Sequence, residues 1–143
     1  MENQTIALLR ECDAGCKMAA ESMNQVQKSV DDPRLGALIA DYRGKHEKLR
    51  ERISSLLKAA GGGEKEPPVM ASAFSWASTE MKLLFHEDGK QIAKIMMDGC
   101  NMGIQSVSGY INQYSGASPD SLTAARDLVR TEEEFMKELK KFL

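Results

Sequence analysis

The chain has 143 residues, enough for one domain with a real core and too few for two. Its formal net charge of -2 excludes the basic excess of a dedicated nucleic-acid binder, and no apolar run approaches the roughly 20 residues that span a bilayer. Three cysteines, an odd number, fit a reducing compartment better than a disulfide framework, and Met1 to Glu11 does not read as a signal peptide, so the expected location is the cytoplasm.

The first helix is expected over about residues 4–30, where Ile6, Leu9, Cys16, Ala20, Met23 and Val30 recur at helical steps and Asn3 offers a cap. Asp31-Asp32-Pro33 stops this helix and starts the next: Asp32 is a good N-cap, and Pro33 suits the first helical position, where a missing N–H costs nothing. So short a turn folds the second helix, about 33–60, back antiparallel on the first. Its inward stripe is Leu35, Leu38, Tyr42, His46, Leu49, Ile53, Leu56 and Ala60, and Gly61-Gly62-Gly63 ends it. The charge-rich stretch Lys45 to Arg52 reads as a solvated face.

Glu64 to Pro68 is a polar linker, followed by a shorter amphipathic helix over about 68–86 that carries Trp76 as a packing anchor and ends near His86, to which no chemistry is assigned. The third long helix is expected over about 88–115, with Ile92, Met96, Cys100, Val107, Tyr110, Ile111 and Tyr114 on its apolar face. Ser118-Pro119-Asp120 then opens a last helix, about 119–143, that buries Leu122, Ala125, Leu128, Val129, Phe135, Leu139 and Phe142. Two short-turn helix pairs separated by a long helical connection predict one all-α domain, a ferritin-like four-helix bundle with a helical crossover between its second and third long helices. The alternative is a five-helix up-and-down array.

With Asp31-Asp32-Pro33-Arg34-Leu35 between the first two helices, Gly61-Gly62-Gly63-Glu64 after the second, and Trp76 in the following helix, the chain resembles small bacterial four-helix-bundle families of the ferritin-like superfamily, related to rubrerythrin and bacterioferritin. The resemblance implies a di-metal centre, built from a glutamate on each of two helices and Glu-x-x-His on each of the other two. The chain contains no Glu-x-x-His. Its nearest donors are Asp13, with Glu21 behind it, on the first helix, His46 on the second, Asp98 on the third and Glu132 on the last, with Phe135 where the last helix needs its histidine. These four would make a thin, irregular site. His46 is more simply a packed histidine bonded to a neighbour or to water, and Glu132 a carboxylate at the edge of its stripe that faces water.

Cys12 and Cys16 stack on one helix face, and Cys100 sits near the middle of a helix that would neighbour them. Such thiolates suit Cu(I), or Zn²⁺ with His46; as free thiols they are small buried hydrophobes. Tyr42, Tyr110 and Tyr114 are candidates for buried hydrogen bonds or for a cavity lining. Gly15, Gly44, Gly99, Gly103 and Gly109 interrupt helical patterns and are read as places of close helix approach, with ligand space as the alternative. The expected function is a non-catalytic binding or assembly module with a degenerate di-metal site and no cofactor. The alternatives are a di-iron-type oxidase or iron-handling protein and a copper or zinc thiolate protein. A homodimer is the expected assembly, with no nucleic-acid or membrane partner.

Overall fold

The computed structural model describes residues 2–62 and 89–143. The expected crossover helix, with Trp76, His86 and the preceding linker, lies outside the described residues. The described chain forms four long helices packed as a bundle: α1 (Glu2–Gln27), α2 (Pro33–Ala59), α3 (Gly89–Gln113) and α4 (Pro119–Leu139), with a closing 3₁₀ turn over Lys140–Phe142. None of these helices is long and apolar enough to cross a membrane.

The helix starts follow local chemistry. Asp32 accepts a hydrogen bond from the Arg34 N–H at 2.9 Å and Pro33 takes the first helical position. Ser118 does the same for α4, its hydroxyl accepting from Ser121 N–H ahead of Pro119. α2 ends as its glycines require: Gly61 takes a left-handed φ of 85°, and Gly62 N–H closes back on the Leu57 carbonyl at 2.9 Å. Two boundaries differ from the sequence expectation. Asn3 lies inside the first turn of α1, which starts at Glu2, and so does not cap it. α1 also stops at Gln27 rather than Val30: Lys28 and Ser29 turn back on Gln25 and Val26, and the Gln27 amide donates to the Gly36 carbonyl of α2 at 2.7 Å.

Helix direction follows from which ends meet. The turn between α3 and α4 is bonded to the start of α1, with Gly116 N–H donating to Gln4 and Ser118 N–H to Thr5, each at 2.8 Å. Gly62, just past the end of α2, packs beside Ile6 at that same end, whereas Gly89 at the start of α3 packs on Leu35 at the start of α2. The helices therefore run up, down, down, up, and α2 and α3 are parallel. The chain leaves α2 at one end of the bundle and enters α3 at the other, about 40 Å away for a helix of this length.

The core is divided in two. One half holds Met23, Val26, Leu35, Ile39, Tyr42, Ile92, Met96, Cys100, Phe135 and Leu139. The other holds Leu8, Leu9, Cys12, Cys16, Ile53, Leu57, Val107, Ala124, Ala125 and Leu128. Leu38, Leu49 and Leu56, expected on the inner stripe of α2, are only partly buried, because Ile39 and Leu57 take the innermost places. Between the halves, on α2 and α4, sit the buried polar side chains His46 and Glu132.

The rings of Tyr42 and Phe135 stack with centroids 4.7 Å apart, one turn above His46 and Glu132. Phe135 is 1% exposed. Phe135→Ala is expected to lower unfolding free energy by about 3–5 kcal/mol, read from the midpoint of urea denaturation.

Candidate functional site

His46 is fully buried, at 0% exposure, because it continues the Leu35–Ile39–Tyr42 stripe of α2 into the bundle. Its Nδ1 donates to the Tyr42 carbonyl at 2.7 Å. A carbonyl only accepts, so Nδ1 carries the hydrogen and Nε2 is left to meet α4, where it is hydrogen-bonded to Glu132 Oε1. Burial works to lower the pKa of His46. The Glu132 hydrogen bond, the Glu132 charge and the Tyr42 carbonyl outweigh it, and the net shift is upward. The pairing therefore favours the protonated ring more than water would.

Glu132 gathers further groups around it. Cys100 of α3 is buried, and its thiol is pushed far up by burial first, then by the Glu132 charge and a hydrogen bond to Glu132. Cys16 of α1 is buried too, and its thiol is raised well above its ordinary value by burial, then by Cys12, Glu132 and Asp13, against the opposing charge of Arg50. Both are neutral thiols at neutral pH and poor nucleophiles. Cys16 belongs to the half of the core that holds Leu8 and Ile53, and Cys100 to the half that holds Ile39 and Phe135. Gly103 makes room: a Cβ there would stand 3.3 Å from Glu132 Oε2.

The other sequence candidates go elsewhere. Asp13 is buried but held by Arg50, Nε to Oδ1 at 3.2 Å. Cys12 lies in the same half of the core as Cys16, its thiol pushed up to about 12 by burial and then by Glu11 and Asp13. Asp98 is exposed and stands apart from the buried layer. The structure thus pairs His46 with Glu132 from one candidate set, while from the other Cys100 is affected by a hydrogen bond to Glu132 and Cys16 by its charge alone.

Sequence reasoning missed the roles of Arg50, Glu11 and Gly103. Glu11 is buried at the α1–α3 seam, with its pKa raised by burial and partly restored by a hydrogen bond to Tyr110. Gly103 carried the only visible signal, a glycine inside a helix. At Gly44, Gly99 and Gly109 an added Cβ would meet nothing within 4 Å among the described residues, so close helix approach does not account for them.

The donor set does not fit a di-iron centre. Two irons need several bridging carboxylates and two histidines. The middle of this bundle offers one of each beside two thiols. Among the described residues, no three histidine, cysteine, aspartate or glutamate side chains stand ready to hold a metal ion. No protein-family model, curated protein or solved structure matches the chain.

Removing one member of a buried ion pair strands the other. Glu132→Leu or His46→Leu is expected to cost about 3–5 kcal/mol, and the double variant His46→Leu/Glu132→Met to recover most of that loss, as measured by urea denaturation of all three proteins. The upward shift of His46 sets the sign of the pH dependence. Its contribution is complete below the unfolded value of about 6.5 and is lost as pH rises through the higher folded value. Stability should fall as pH rises above about 6.5 through the higher folded value of His46, and the slope should flatten in Glu132→Gln.

Proposed function

We propose that this chain is a non-catalytic ferritin-like bundle, a binding or assembly module in which an ion pair occupies the place of a di-metal centre. The observation that carries this reading is the His46–Glu132 pair. Each residue is half of a Glu-x-x-His motif. α2 keeps the histidine but has Arg43 three residues before it, with its guanidinium donating outward to Asn24 of α1 at 3.1 Å. α4 keeps the glutamate but has Phe135 in the histidine position, stacked on Tyr42. The two surviving halves satisfy each other.

The up-down-down-up course of the helices supports the ferritin-like assignment, since a long connection between parallel second and third helices is that fold's signature. Fold alone does not supply an activity. The buried thiols, protonated and away from solvent, argue against nucleophilic chemistry.

Anaerobic titration with Fe²⁺ followed by exposure to oxygen tests this reading. The expected result is far fewer than two irons per chain and no oxygen-dependent rise in ferric absorbance. Iron near two per chain with rapid oxidation would overturn it.

A further inference from the structure

We propose that the outer groove between α3 and α4 is where a second copy of this chain docks, with the two α4 helices antiparallel about a two-fold axis that passes close to Val129. Arg126 of each copy then meets Glu133 of the other.

α4 carries two apolar stripes. The inner one, with Ala125, Leu128, Phe135 and Leu139, is buried in the bundle. The outer one is Leu122, Val129 and Met136, which recur at seven-residue steps. Each of these three rests against its own core but stays partly exposed. On α3, Met97, Ile104 and Ile111 recur at the same step and are partly exposed as well. A strict seven-residue repeat keeps one seam turned toward a neighbouring helix along several turns. Between these rows the surface is hollowed. An open space of about 340 Å³ is lined by Ser108, Ile111 and Asn112 from α3 and by Arg126, Val129 and Glu133 from α4. Its floor is apolar, and it lies open along the groove, a shape suited to a ridge of side chains on another helix more than to an enclosed small molecule.

The charges select the occupant. Arg126 and Glu133 are both exposed, and they stand seven residues apart, about 10 Å along the helix, too far to pair with each other. Neighbouring charges on α4 are already matched: Arg130 and Arg52 both bond Asp127, and Lys141 bonds Glu138. Arg126 and Glu133 form no ion pair among the described residues. In a two-fold contact residue i meets residue j while j meets i, so one surface must carry both halves of every pair. This surface does. An axis near Val129 places Arg126 and Glu133 at almost equal distances on either side of it, so two opposite-charge pairs form at once. The same axis sets Leu122 against Met136 of the second copy and Val129 against its own counterpart. The partner goes beyond the binding or assembly reading above and does not rest on the ferritin-like assignment, which the iron titration tests separately.

The test is sedimentation equilibrium of the full chain over a concentration series into the high micromolar range at low salt. The expected result is reversible association to twice the mass of the chain, weakened by added salt. Glu133→Arg and Arg126→Glu each set like charges against each other and should weaken the dimer at least about tenfold. Both positions are exposed, so both variants should keep the helical circular dichroism of the parent. An equimolar mixture of the two variants should associate again as a heterodimer, seen by native mass spectrometry, because each chain then carries at both positions the charge the other needs. A wild-type chain that stays monomeric throughout would overturn the proposal. So would a dimer of undiminished strength in either single variant, or a mixture that forms no heterodimer.

Discussion

A histidine and a glutamate, bonded to each other and withdrawn from water in the middle of an apolar bundle, constrain everything around them. Each ion alone would cost several kcal/mol to bury, and together they are tolerable only if their geometry is held. The Tyr42 carbonyl holds one ring nitrogen of His46 and Gly103 clears space for the Glu132 carboxylate. The stacked Tyr42 and Phe135 rings cover the pair from above. Sliding α2 against α4 by one turn, about 5.4 Å, would leave both charges unmatched. The pair fixes the register in which the two helical hairpins meet.

That role explains the divided core. Each half is an ordinary packing of aliphatic and sulfur-containing side chains, and either would tolerate a shifted alignment at modest cost. Apolar contacts are non-directional; the hydrogen bond between the halves is not. The surface pairs add little to this specificity. Arg52 with Asp127 at 2.6 Å links α2 to α4 in the exposed layer, where an ion pair contributes about 0–1 kcal/mol.

What was legible in the sequence was local. Asp32-Pro33 and Ser118-Pro119 mark helix starts because the cap and its acceptor lie within three residues. The end of α1 was misplaced because a residue of the next helix, Gly36, takes the Gln27 amide. His46 and Glu132 could be singled out by helical period, and Cys16 and Cys100 by residue type. Their convergence could not, since the rotation of one helix against another depends on every contact between them. Asp98 and Cys100 show how narrow the margin is: two residues apart on α3, one faces water and the other the Glu132 carboxylate. Gly103 was visible as an oddity, but only the partner helix reveals that its missing side chain serves a carboxylate.

The stitching of the α3–α4 turn to the first residues of α1 has a dynamic consequence. The N–H groups of Gly116 and Ser118 are protected not by their own hairpin but by Gln4 and Thr5, more than a hundred residues earlier in the chain. In deuterated solvent these two amides should exchange on the timetable of fraying at the start of α1, faster than the helical amides on either side of them. A loop at one end of the molecule thereby reports the docking of a helix to which it is not covalently adjacent.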